Sequence, residues 1–176
     1  MKKIYAGSVT ADHKIYYIID SDFELLDSLC DWSLGNEYIG YISHDKALKF
    51  RTVSDHYTHW IEVFFSEIPP VLDDCERALA LNINVPSGKL RIDSVYWYNE
   101  IFINISPCCY IVYILAYNLG KHPDPYIEDL LELEDDELEH RLDLERYKIV
   151  LVPGKTNNEG VIKGSKYLPD CVFDEE

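Results

Sequence analysis

The sequence predicts an all-β fold, mainly an antiparallel β-sandwich of about nine strands, and three observations support that prediction. Apolar and polar residues alternate through most of the chain, which is the period-two pattern of strands that bury one face. Turn-forming residues recur at intervals of about ten residues, as is typical of sandwiches and barrels. Of the 176 residues, 47% are hydrophobic, which is enough for one packed core, so we expect residues 1–176 to form a single domain.

Nine segments carry the strand pattern. They are residues 4–9, 15–19, 48–52, 60–65, 78–85, 90–93, 101–105, 110–117 and 147–152. The fifth segment ends at Pro86-Ser87-Gly88, a combination of residues that favours a turn. Residues 110–117 are apolar on both faces, which predicts a central strand that is covered on both sides.

Two stretches break the strand pattern. In residues 20–32, Phe23, Leu26 and Leu29 lie at helical spacing behind a capping Ser21 or Asp22, which predicts a short N-terminal helix. Residues 123–145 predict an acidic helical insertion, because five apolar side chains there can share one helical face. Four consecutive acids at residues 134–137 are equally compatible with a turn. Residues 154–164 resemble a loop, and we expect a flexible tail at about 165–176.

The net charge of the protein favours some classes of partner over others. The chain has 16 Lys and Arg against 32 Asp and Glu, a net charge of −16. This balance argues against binding nucleic acid or an anionic membrane and favours a basic protein as the partner. Residues 124–145 contain eleven of the acids and one base, Arg141. No signal-peptide pattern is visible, and the five cysteines form no disulfide framework, so we expect a cytoplasmic protein.

Motifs for catalysis and for metal binding are absent from the sequence. It has no HExxH, no paired CxxC, no phosphate-binding glycine loop and no nucleophile elbow, so we expect no cofactor, no metal and no enzymatic activity. Two candidate partner-binding surfaces remain. The first is an acidic set, which comprises Glu132, Glu134, Asp135, Asp136, Glu137 and Glu139. The second is an aromatic set, which comprises Tyr96, Trp97 and Tyr98.

Each set also has a purely structural interpretation. The acids could form a solvated face that keeps the protein soluble, and the aromatic residues could belong to the sandwich core. If the aromatic set is exposed, the alternative function is that of a module binding a small ligand or a carbohydrate. The sequence does not determine the oligomeric state.

Taken in order, these segments resemble the competence protein J (ComJ) family of small nuclease inhibitors. The matching stretch begins at Trp32-Ser33 and continues through Gly40-Tyr41, Ala47 and Phe50-Arg51-Thr52. It then includes the strand at 60–65, a hairpin at 80–95, residues 101–105 and the strand from Tyr110. Pro107-Cys108-Cys109 departs from the family pattern, in which a Gly is expected before the Tyr, and the acidic stretch resembles an insertion.

The resemblance implies a β-sandwich that binds and inhibits a nuclease. It supplies a scaffold and no inhibitory residues, so the acidic set follows from charge alone. A nuclease cleft is basic because its substrate is a polyanion, and a folded surface that presents carboxylates can compete for that cleft. The same reasoning fits an immunity protein that neutralises a toxin, and the sequence does not separate these two settings.

Overall fold

The structure is a computed structural model, and it describes residues 1–10, 15–24, 40–53, 58–72, 74–94, 100–121 and 133–165. Within these residues the chain forms eleven strands and one short helix. In chain order they are β1 (Lys2–Thr10), β2 (Ile15–Asp20), β3 (Tyr41–His44), β4 (Ala47–Arg51), β5 (Thr58–Phe65), β6 (Arg77–Val85), β7 (Lys89–Ser94), β8 (Ile101–Asn104), β9 (Cys108–Tyr117), α1 (Asp135–Glu139), β10 (Arg146–Pro153) and β11 (Gly160–Lys163).

The strands form two sheets. The first sheet has the order β1-β5-β10-β9-β6-β11, and the second has the order β3-β4-β2-β7-β8. All described pairings are antiparallel except that of β5 with β10, which is parallel. The predicted all-β fold is therefore confirmed, and the first sheet is mixed.

The core lies between the inner faces of the two sheets. Each strand contributes alternate residues to it, as in β9, where Tyr110, Val112 and Ile114 are buried. Tyr16, Phe50 and Tyr147 add aromatic rings that pack against one another at centroid distances of 5.4 to 6.1 Å. Burial of these rings removes much apolar surface from water, which is the main stabilising contribution in such a sandwich.

The turn at residues 86–88 carries the chain from one sheet to the other. Gly88 has a φ of +69°, and a Cβ there would lie 3.0 Å from the carbonyl oxygen of Ile105, so a side chain would be strained. The predicted turn is confirmed, but the hairpin expected across it is wrong. β6 pairs with β9 and β11, whereas β7 pairs with β2 and β8.

One side of the sandwich is closed and the other is open. On the closed side, the Asn84 N–H donates to the carbonyl oxygen of Asp45 at 2.6 Å, and Ser43 Oγ donates to Glu159 at 3.2 Å. On the open side, β1 and β8 are the last strands of their sheets. A groove of about 530 Å³ lies there, and its lining includes Ile4, Phe65 and Pro107.

Nine strands match the predicted segments, and two were not predicted. β11 lies in the stretch predicted to be a loop, and β3 lies in a stretch with no prediction. Of the stretch predicted to form the N-terminal helix, Asp20 ends β2, residues 21–24 are not helical, and residues 25–32 lie outside the described part of the chain. Of the acidic helical insertion, the structure describes residues 133–145, which contain the five-residue helix α1. No helix among the described residues has the length and apolar character that crossing a membrane requires.

Candidate partner-binding site

The acidic set lies on α1 and at its start. Glu134 is the N-cap residue, and its N–H donates to Glu137 Oε2 at 3.0 Å, which is one half of a capping box. Carboxylates in the first turn of a helix are also favoured by the positive end of the helix dipole. The four consecutive acids at residues 134–137 therefore begin a helix and do not interrupt one.

Leu138 anchors α1 to the first sheet. Its side chain is buried against Trp60 of β5 and against Leu144, which precedes β10. The opposite side of the helix faces solvent, where Glu134, Asp135, Asp136 and Glu137 are exposed. This apolar contact helps to fix the orientation in which these carboxylates are presented.

Asp135 ties the helix to the edge of β1. Its Oδ1 accepts hydrogen bonds from the Ser8 N–H at 3.0 Å and from Ser8 Oγ at 2.8 Å. Gly7 allows this approach, because a Cβ there would lie 3.2 Å from Asp135 Oδ2 and would collide with the Tyr5 hydroxyl. Burial, with a smaller contribution from the charge of Asp135, raises the pKa of Tyr5.

Only one acid of the described set lies close to a cation. Glu139 is half-buried, and its Oε1 lies 3.7 Å from Lys3 Nζ, which also forms an ion pair with Glu62. The hydrogen bond with Glu62 raises the pKa of Lys3. The exposed acids at residues 134–137 form no salt bridge with a Lys or Arg of the described residues. Within the described residues, the carboxylates at 134–137 therefore have no Lys or Arg partner.

A salt bridge and a set of buried hydrogen bonds hold the segment between α1 and β10. Arg141 and Asp143 form a two-bond salt bridge of 2.9 and 2.7 Å, and this bonding lowers the pKa of Asp143. Glu145 is fully buried, and it accepts hydrogen bonds from the Val53 N–H at 2.9 Å, the Gly120 N–H at 3.2 Å and the Tyr147 hydroxyl. Glu145 counts among the acids of the segment in the sequence, but it contributes no exposed carboxylate.

Glu145 belongs to a set of buried polar side chains. The Tyr16 hydroxyl donates to the Val9 carbonyl at 2.8 Å and lies 2.9 Å from His59 Nδ1, and both side chains pack against Tyr147. Burial, followed by the charge of Glu145, raises the pKa values of Tyr16 and Tyr147 well above the usual value. Sequence reasoning did not find this group, because its members lie on different strands and share no motif.

A cavity of about 390 Å³ opens beside α1 on the outer face of the first sheet. Its walls include the rings of Trp60 and Tyr117, the cations Arg146 and Lys148, and Leu142, whose side chain is 75% exposed. Burial raises the pKa of Tyr117 to about 12, so this phenol stays neutral at ordinary pH. The cavity combines apolar walls with hydrogen-bond donors, and no sequence pattern pointed to it.

The structure brings together five of the nine residues proposed from the sequence. Glu134, Asp135, Asp136, Glu137 and Glu139 share one helix and its cap, whereas Glu132 lies outside the described residues. The aromatic set of Tyr96, Trp97 and Tyr98 also lies outside them. Within the described part of the chain, no group of three or more His, Cys, Asp or Glu side chains is placed to hold a metal ion.

The chain was compared with known families, with curated proteins and with solved structures. Residues 13–145 match the model of the family described as competence protein J (ComJ). No curated protein matches the sequence.

Two solved structures share the fold. The first is ComJ from Bacillus subtilis, described as an inhibitor of the DNA-degrading activity of NucA, with a TM-score of 0.62 and 13% sequence identity over 87% of this chain and 98% of that chain. The second is the protein described as crocagin biosynthetic gene J, with a TM-score of 0.53 and 12% identity over 88% of this chain and 100% of that chain. At these identities the two structures establish the fold alone.

Proposed function

The chain belongs to the competence protein J (ComJ) family, and from that membership we propose that it binds a basic nuclease and inhibits its DNA-degrading activity. In this proposal it acts by occupying the nuclease and catalyses no reaction itself. The similar structure from Bacillus subtilis is described as a nuclease inhibitor, which supports this class of function.

The observation that carries the proposal is the exposed helix α1. Glu134, Asp135, Asp136 and Glu137 project from one short helix and form no salt bridge within the described residues. A cleft that binds DNA carries Lys and Arg side chains to neutralise phosphates. A row of carboxylates at fixed spacing can pair with the same cations and so exclude the substrate.

The helix is also held in place before any partner arrives. Leu138 anchors it from below, and Asp135 fixes it to the edge of β1. A preorganised surface spends less binding free energy on ordering its side chains than a mobile one does. Carboxylates of this kind mainly accelerate association, because their field steers a basic partner, and salt screens that effect.

The test measures how fast two nucleases degrade DNA in the presence of the protein. One is NucA, and the other is the nuclease of the same class from the organism that encodes this chain. We expect a complex with one of them, inhibition that grows with the concentration of the protein, and a loss of association rate as salt rises. The double variant Glu134→Gln/Asp136→Asn keeps the hydrogen-bond acceptors but removes two charges. It should lower the association rate at low salt by about fivefold to tenfold.

A matched control removes the same charge elsewhere. Glu67 and Asp74 are exposed on the connection between β5 and β6, and Glu67→Gln/Asp74→Asn changes the net charge by the same amount. This control should change the association rate much less than the α1 variant does. Equal effects of the two variants on the association rate would show that α1 contributes only through the net charge of the protein. Absence of inhibition of both nucleases would refute the proposed function.

A further inference from the structure

The wall of the cavity beside α1 includes Trp60, whose indole donor is unused in the described part of the chain. Trp60 is only 3% exposed, and its Nε1–H is buried and has no acceptor among the described residues. A donor that has lost its water and gained no partner is costly, so buried donors are almost always paired. An acceptor that reaches this N–H from the cavity would therefore bind Trp60 more strongly than it would bind an exposed indole.

Two cations line the same cavity and have no carboxylate partner among the residues that the structure describes. Lys148 Nζ lies 5.5 Å from the ring centroids of both Phe64 and Tyr117. Arg146 stacks over Trp60 at 5.7 Å and donates to the main-chain carbonyls of Glu139 and Arg141. Neither cation forms a salt bridge in the described part of the chain, although the protein has twice as many acids as bases.

The two acids that line the cavity lie beside a third cation outside the lining. Glu62 and Glu139 are both next to Lys3, which pairs with the first and lies 3.7 Å from the second. The lining therefore holds two cations and two carboxylates, and within the described residues the carboxylates pair with Lys3 and not with Arg146 or Lys148. The exposed His140 adds a further donor or acceptor.

We propose that this cavity binds a carboxylate carried by an apolar group. The ammonium of Lys148 and the indole N–H of Trp60 would donate to the carboxylate oxygens. The apolar part would pack on Tyr117 and on Leu142, an apolar side chain that is otherwise 75% exposed to solvent. The last residue of a peptide chain and a small free acid share this chemistry.

The experiment follows the indole N–H resonances of the protein by NMR while ligands are added. The chain has three tryptophans, so the assigned Trp60 signal has two internal references. N-acetyl-L-leucine represents the end of a peptide, 4-methylpentanoate represents a free acid, and N-acetyl-L-leucinamide is the matched ligand without a charge. We expect a saturable shift of the Trp60 signal with one or both acids and at least a tenfold weaker effect of the amide.

Variants of Lys148 test the site from the protein side. Lys148→Gln should weaken binding of the carboxylate by about tenfold, Lys148→Arg should retain it, and Lys155→Gln, at a lysine far from the cavity, should leave it unchanged. The relative affinity of the two acids distinguishes a peptide end from a free acid. A Trp60 signal that does not move, that moves equally with the amide, or that ignores Lys148→Gln would overturn the proposal. No nuclease enters this experiment, so its outcome is independent of the proposed function.

Discussion

Asp135 and Glu145 belong to one acidic segment, and the protein surrounds them in opposite ways. Asp135 is exposed on α1 and accepts two hydrogen bonds from Ser8 at the edge of β1. Glu145 is fully buried and accepts hydrogen bonds from Val53, Gly120 and Tyr147, which connect both sheets. The described part of this segment thus presents carboxylates to solvent at α1 and is fixed in the core at its end.

The difference shows that the number of acids in a segment does not measure the charge it presents. A buried carboxylate is tolerated only where several donors replace its lost water, and the donors to Glu145 include two main-chain N–H groups and the Tyr147 hydroxyl. An exposed carboxylate needs no such partners and contributes little to stability, so it is free to bind another molecule. Substitutions of the two residues should therefore have different effects when stability and binding are measured independently.

The largest effect on stability is expected for Glu145→Ala. The variant leaves two main-chain N–H groups and the Tyr147 hydroxyl without their acceptor in the core, which should cost about 3–5 kcal/mol. Urea unfolding followed by circular dichroism measures this loss. Glu67→Ala, at an exposed acid on the connection between β5 and β6, should stay within about 0.5 kcal/mol of the parent protein. A loss below about 1 kcal/mol for Glu145→Ala would show that these bonds do not hold the sheets together.

The ionisation of Tyr147 tests the same buried group from the alkaline side. Burial raises the pKa of Tyr147, and the charge of Glu145 raises it further. The native protein therefore keeps this proton above pH 10 while the unfolded chain releases it. The stability that Tyr147 provides is complete below pH 10 and falls as pH rises, by up to about 1.4 kcal/mol per pH unit.

Tyr147→Phe should remove that slope. Its free energy of unfolding should fall less steeply between pH 10 and 11.5 than that of the parent protein, as measured by urea unfolding at each pH. Tyr117→Phe should remove a similar part of the slope over this range, because the pKa of Tyr117 is also raised, to about 12. Parallel curves for Tyr147→Phe and the parent protein would contradict the assignment of Tyr147 as a buried, protonated phenol.

The sequence predicts the strands of this protein better than it predicts their partners. Alternation of apolar residues indicated β6, and the run of residues that are apolar on both faces indicated β9 and its position inside a sheet. It did not indicate that β6 and β7 lie in different sheets, since a tight turn permits either arrangement. β11 has only four residues and starts at a glycine with a φ of +133°, so no alternation marks it.

The residues of the candidate site also differ in whether the sequence could predict them. The acids of α1 are adjacent in sequence, so composition alone indicated them, and the capping box explains why they begin a helix. Lys148 and Trp60 lie on different strands and meet only because β5 pairs with β10 in parallel. Glu145 looks like its neighbours in the sequence, and only its contacts reveal that it is buried.

The smallest effect on stability concerns the contact of Asp135 with Ser8. Asp135→Ala should cost about 1 kcal/mol, because Ser8 is only half-buried, so water can replace the lost acceptor of its N–H and hydroxyl. Ser8→Ala should cost less, since it removes only the side-chain bond and keeps the main-chain one. A double-mutant cycle measured by urea unfolding isolates the coupling between the two residues. Asp136→Ala is the matched control on the next residue, whose carboxylate accepts a hydrogen bond from the Glu137 N–H within α1, and it should change stability by less than about 0.5 kcal/mol. Equal losses for the variants of Asp135 and Asp136 would mean that α1 is held by Leu138 alone, and that the orientation of its carboxylates depends on one apolar contact.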